Sequence, residues 1–190
     1  MDKITIPEHH IVLNNKKILS VPEIGIKNKI YHISGRNGSG KSVFLSDVYR
    51  YCSKEGLNVL YLQDVPIGEP GLTIRENCIL QHLFFSVPLS ESLSQMIEIE
   101  DQETLYEQAS LGTQMKVGLS LLMVFDHWDL ILLDETLANV DLRTQVILYK
   151  VLQKQAYAGT AVLLAMHQLS AGWDIEHIWS IEGGRIHEKS

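Results

Sequence analysis

Ile30-Tyr31-His32-Ile33-Ser34-Gly35-Arg36-Asn37-Gly38-Ser39-Gly40-Lys41-Ser42 decides how the rest of the chain is read. It opens as a short strand, Ile30 to Ser34, turns through glycines at 35, 38 and 40, and enters a helix beginning near Ser42. Residues 35–42 match the G-x-x-x-x-G-K-[ST] pattern in the strand-loop-helix setting that gives the pattern its meaning. Glycines let the backbone turn tightly and aim successive N–H groups inward. A helix N-terminus then adds its own preference for anions. In such a loop Gly35, Arg36, Asn37, Gly38, Ser39 and Gly40 cradle phosphate oxygens, Lys41 reaches the outer phosphates, and Ser42 offers its hydroxyl to magnesium.

Outward from this loop the chain repeats a strand-then-helix rhythm. Asn58 to Leu62, Leu130 to Leu133 and Ala161 to Ala165 are short apolar runs of the kind buried on both faces of a parallel sheet. Ile147, Leu148, Val151 and Leu152 recur at helical spacing between Leu142 and Tyr157 and predict a covering helix. The first 34 residues read instead as short strands with a hairpin, and Gly183-Gly184 predicts a closing two-residue hairpin between Ile178–Glu182 and Arg185–Glu188. From Pro66 to about Phe125 the reading is mostly helix, with Thr73 and Glu76 as a capping box opening the segment Ile74 to Phe85. The expected fold class is therefore α/β: a mainly parallel sheet, a small N-terminal antiparallel part and a helical segment.

Leu130-Ile131-Leu132-Leu133 ends in Asp134-Glu135. Ligands of α/β sheets bind beyond the carboxyl ends of the strands, which is also where the phosphate loop lies. Neighbours on an extended strand face opposite sides, so the alternation predicts separate tasks for Asp134 and Glu135, one organising magnesium and the other contacting the attacking water. At 190 residues and 45% apolar the chain can bury a full core as one domain. A net charge of −7 disfavours a protein that coats nucleic-acid phosphates, and no nucleic-acid partner is expected. No apolar run reaches membrane-spanning length and the N-terminus lacks a leader-like core, so a cytoplasmic setting is expected. Cys52 and Cys78 are read as packing residues.

Taken together these residues resemble the ATP-binding-cassette family, over about residues 30 to 187. The resemblance implies a phosphate-loop NTPase core of RecA-like type, with 1–65 and 126–190 as the catalytic core and about 66–125 as a helical subdomain. Gln63, in Tyr61-Leu62-Gln63-Asp64, looks like the Q-loop glutamine, which contacts magnesium and water. Leu72-Thr73-Ile74-Arg75-Glu76-Asn77 is similar to a stretch common in the helical subdomain. Ser110-Leu111-Gly112-Thr113-Gln114-Met115-Lys116 resembles a divergent signature loop in which Ser110 and Gly112 match and Leu111 and Thr113 do not. Asp141, in Asn139-Val140-Asp141, looks like the D-loop aspartate, and His167 like the switch histidine at the γ-phosphate. By this resemblance the cofactors are ATP and magnesium. Glu135 would be the general base, assisted by Gln63 and His167, and Ser42, Gln63 and Asp134 would serve the metal.

The resemblance also implies partners. Two cassettes would close head to tail, as a homodimer or matched pair, and a separate integral membrane subunit would hold them at the cytoplasmic face. Three departures stand out. Only 22 positions separate Lys41 from Gln63, where relatives usually carry an additional hairpin. The usual adenine-stacking tyrosine is missing upstream, leaving His9 or His10 to substitute, and the signature helix continues as Lys116-Val117-Gly118-Leu119. Cassettes that act on DNA or ribosomes typically insert coiled coils or fuse two copies. Here one copy is present, 46 residues separate Gln63 from Ser110 and the charge balance is acidic, which favours transport over that class, while the presence of both Glu135 and His167 favours it over a regulatory nucleotide switch.

Overall fold

The computed structural model describes residues 4–87, 91–167, 169 and 172–189. In chain order the first half contains β1 (Ile4–Ile6), β2 (His9–Leu13), β3 (Lys16–Val21), β4 (Ile24–Ile26), β5 (Ile30–Ser34), α1 (Lys41–Lys54) and β6 (Val59–Leu62). There follow α2 (Ile74–Leu83), α3 (Glu91–Met96), α4 (Ile99–Gln102), α5 (Leu111–Leu119), β7 (Leu130–Asp134), α6 (Leu142–Tyr157), β8 (Ala161–Ala165), β9 (His177–Glu182) and β10 (Arg185–Lys189).

The apolar runs become a parallel core, ordered β9-β5-β8-β7-β6. β7 and β8 are buried at every residue because helices cover both faces. Phe44, Leu45 and Val48 of α1 share one apolar cluster with Leu130, Leu132 and Leu163. Leu148, Val151 and Leu152 of α6 share the other with Ile131, Leu133, Val162 and Leu164. Alternate residues of each strand thus serve opposite layers, and this parity decides where the strand-end side chains emerge.

Antiparallel pairing is confined to the margins. β2 and β3 form the expected N-terminal hairpin and join the main sheet through a parallel contact of β3 with β10, while β1 and β4 make a separate two-stranded sheet. Gly183 and Gly184, at φ 56° and 72°, take the paired left-handed conformation that a two-residue turn between β9 and β10 requires. The capping box at α2 is present in both directions, Glu76 N–H to Thr73 and Thr73 N–H to Glu76. α2 ends at Leu83, two residues short of the expected Phe85, because Phe85 and Ser86 bond back three residues and Ser86 turns left-handed at φ 54°. Cys52 and Cys78 are buried free thiols, each pushed up to about 11 by desolvation, which fits the packing role read for them.

Candidate nucleotide-binding site

The phosphate loop forms where β5 ends. β9 lies beside β5, pairing Ser180 with Ser34, so the β9–β10 hairpin sits against the loop. Gly35 is required by that approach: a Cβ there would lie 2.5 Å from Ser39 Oγ and 3.0 Å from the Ile181 carbonyl. Gly38 and Gly40, at φ 73° and 105°, make the left-handed turns that lead into α1. Among the helices of nine residues or more, α2, α5 and α6 are capped by the Thr73, Ser110 and Asp141 side chains. α1 alone starts on glycine, with no side-chain cap and no acid in its first turn. Its first N–H groups are left for an anion to satisfy. Buried Lys41 folds back over the loop, donating to the Gly35 carbonyl at 3.1 Å. Above it is a hollow of about 730 Å³ lined by residues 34–39, His167, Glu182, Gly183 and Lys189. The hairpin's contribution was not legible in the sequence, because no motif marks it and only the sheet order brings it there. Neither His9 nor His10 is among the described lining residues. His9 is held by Asp47 and the Pro7 carbonyl, and His10 lies between Lys17 and Ser20.

Asp134 and Glu135 do separate, but not through strand alternation. β7 stops at Asp134, and Glu135 turns left-handed at φ 57° with its N–H bonded to the Ala165 carbonyl at 3.0 Å. For a non-glycine residue that backbone costs about 1–3 kcal/mol, and such strain concentrates at working sites. The turn brings Glu135 Oε1 to 3.4 Å from both Lys41 Nζ and His167 Nε2. Asp134 stays on the α1 face with Leu130 and Leu132. Burial pushes its carboxyl above the usual range and nearby Glu135 adds to the rise, against the Ser42 and Tyr61 hydroxyls and Lys41. Asp134 Oδ1 is buried without a hydrogen-bond partner among the described residues. A magnesium ion fits this oxygen-rich corner of Ser42, Asp134 and Gln63. Among the described residues no group of three or more His, Cys, Asp or Glu could hold a metal unaided, so such an ion would depend on phosphate oxygens for the rest of its shell.

Gln63 follows β6, and its amide donates to the Tyr61 hydroxyl, which in turn donates to Asp134. The next residue, Asp64, accepts from the Asn139 amide. Tyr61 is a site neighbour that sequence reasoning passed over. Its signal was available, because residues 61 and 63 share a strand face, as do 132 and 134, and β6 pairs Tyr61 with Leu132.

Ser110, Gly112 and Asp141 gather in a second hollow of about 460 Å³ that shares no lining residue with the first. Ser110 caps α5 by accepting from the Thr113 N–H at 3.1 Å, and its hydroxyl also bonds that of Thr113. Gly112 lies against the Asn139 carbonyl, 2.8 Å from where a Cβ would be. Asp141 caps α6 through Thr144 and meets buried Lys116 at 2.9 Å. Burial opposes ionisation there, but the Thr144 N–H and the Lys116 ammonium hold the Asp141 carboxyl well below the usual carboxylate range. One chain therefore brings Lys41, Ser42, Gln63, Asp134, Glu135 and His167 together and keeps Ser110, Gly112 and Asp141 apart from them.

A glycine-lined loop opening an uncapped helix, at the carboxyl edge of a parallel sheet covered on both faces, defines a phosphate-loop nucleotide-binding fold. No family model matches the chain. It is 28% identical over 181 aligned positions to the vitamin B12 import ATP-binding protein BtuD of Vibrio atlanticus, covering 76% of this chain and 70% of that protein. It is 29% identical over 159 positions to the zinc import ATP-binding protein ZnuC of Haemophilus influenzae, where 75% of this chain covers 57% of the relative, less than two thirds of its length. Among solved structures, an ATP-binding subunit of an ABC transporter superposes with a TM-score of 0.74 at 17% identity, covering 94% of this chain and 85% of that one. The cassette MJ0796, in a dimeric post-hydrolysis state with ADP and Pi, gives 0.72 at 19% over 96% and 95%. The chain has the ATP-binding-cassette fold, and its sequence is similar to ATP-binding subunits of ABC transporters. Among the described residues no helix is long and apolar enough to cross a membrane.

Proposed function

We propose that this chain, a single cassette with residues 66–125 as its helical lobe, binds and hydrolyses ATP as one of a head-to-tail pair and powers transport through a separate membrane subunit. The observation that carries the hydrolytic reading is the convergence of Lys41 and His167 on one oxygen of Glu135, beside an uncapped helix start. Glu135 is the general base: it takes a proton from water as that water attacks the γ-phosphorus and the bond to the β-phosphate oxygen breaks, leaving ADP and phosphate. Lys41, His167 and the loop N–H groups stabilise the charge developing on the phosphoryl oxygens. Ser42, Gln63 and Asp134 would hold magnesium, which would neutralise phosphate charge when bound.

The separation of the two hollows supports pairing, because Ser110 and Gly112 reach a phosphate only if a second copy supplies it. The printed names of the relatives, import ATP-binding proteins, support transport. So does the apolar surface after Gln63, where Val65, Ile67, Leu83 and Phe84 are exposed, Phe84 by 80%. Such a surface suits a membrane subunit and would keep the chain at the cytoplasmic face.

The deciding measurement is magnesium-dependent ATPase activity against protein concentration. The rate per subunit is expected to rise with concentration and to vanish in Lys41→Ala. Glu135→Gln is expected to bind ATP, lose about 10²- to 10⁴-fold in turnover and accumulate the closed pair. Ordinary turnover in Glu135→Gln would refute the assignment of the base.

A further inference from the structure

The hydroxyl of Tyr61 lies between Gln63 and Asp134, two of the three groups just assigned to the metal. The Gln63 amide nitrogen donates to it at 3.2 Å, and it donates to Asp134 Oδ2 at 3.3 Å. The direction of this chain is forced. The Gln63 nitrogen can only donate and the phenol has one proton, so the phenol accepts from Gln63 and gives its proton to Asp134 Oδ2. What remains on the phenol oxygen is a lone pair, which can face the NH₂ of Gln63 and would repel its carbonyl oxygen. The Tyr61 ring is itself held, 5.5 Å between centroids from Tyr49 of α1, the helix that carries Ser42.

We propose that Tyr61 is a positioning residue that fixes which way the Gln63 amide points. With Nε2 committed to Tyr61, Oε1 is the end left to ligate. With Oδ2 of Asp134 taken by the phenol, the buried and unpartnered Oδ1 is the end left to accept from a metal-bound water. One hydroxyl thus selects a hard oxygen on each side for the same cation. Partners of this kind, one shell removed from a metal, commonly change its affinity by about 10–100-fold. The inference rests on the nucleotide-and-magnesium reading above.

Manganese, a paramagnetic stand-in for magnesium, tests it by spin-resonance titration of the intact chain with ATP present. Tyr61→Phe keeps the ring against Tyr49 and removes only the hydroxyl. It is expected to weaken manganese binding in the ATP complex by about tenfold while ATP binding without metal stays within twofold. In a Gln63→Ala background the effect of Tyr61→Phe is expected to shrink. Unchanged manganese affinity in Tyr61→Phe, or an equal loss of metal-free ATP binding, would overturn the positioning role and leave the nucleotide reading standing. Failure of the parent chain to bind manganese with ATP would instead overturn that reading and this inference with it.

Discussion

α1 follows a glycine-rich loop and α5 a short 3-10 turn at Tyr106–Gln108, and their amino ends are finished differently. α1 begins on Gly40 with no side-chain cap and keeps Lys41 folded over the loop. α5 begins on Ser110, which bonds Thr113 twice, and its second residue rests on the Asn139 carbonyl. The same element, a helix start, is left open in one place and closed by its own chain in the other. An open end waits for a ligand. A closed end, capped by its own Ser110, packs against Asn139 and ties through Lys116 to Asp141. We read the first as the complete half of a phosphate site and the second as a half presented to another copy.

Adding one methyl group at each end is the sharpest way to break that contrast. Gly35→Ala drives a Cβ into Ser39 and the Ile181 carbonyl, and is expected to weaken ATP binding by about fivefold to 150-fold, the equivalent of the roughly 1–3 kcal/mol typical of overpacking. Gly112→Ala pushes α5 off Asn139. Its expected signature is ATP binding within twofold of the parent but an ATPase rate about tenfold lower at saturating protein. Fluorescent-nucleotide titration beside the ATPase assay separates the two, and a binding defect in Gly112→Ala would mean that the halves are not distinct.

A smaller effect concerns stability. Ser110→Ala removes the cap of α5 and should cost about 1 kcal/mol in urea unfolding, with metal-free ATP binding unchanged. An unaltered midpoint would show that the cap holds nothing together. The smallest is a matter of pH. The Asp141 carboxyl is depressed in the folded chain, so its contribution is present above the unfolded value and is lost as pH falls through the folded one. Melting temperatures followed from neutral pH downward should therefore fall more steeply in the parent than in Asp141→Asn, and parallel curves would mean that Lys116 and Thr144 add no pH-dependent stability.

Much of this was legible from sequence wherever a local rule sufficed. Unbroken apolar runs predict β7 and β8, glycines in strand-to-helix context predict the phosphate loop, and the Thr73–Glu76 spacing predicts α2. Relations between distant segments were not legible. That the β9–β10 hairpin lies over the phosphate loop depends on the pairing of β5 with β9, which no motif encodes. Strand alternation predicts that Asp134 and Glu135 part company, and they do so through a left-handed turn instead, because period-two patterning carries no information about the sign of φ. Tyr61 belongs to no motif, although its parity with Gln63 points it toward the same corner.

The left-handed backbone at Glu135 has a consequence for anyone who tries to improve this protein. Judged by conformation alone, position 135 asks for glycine or asparagine, and a selection for heat resistance that ignored turnover would remove the glutamate early. At this position, tolerance of heat and speed of reaction would be bred in opposite directions.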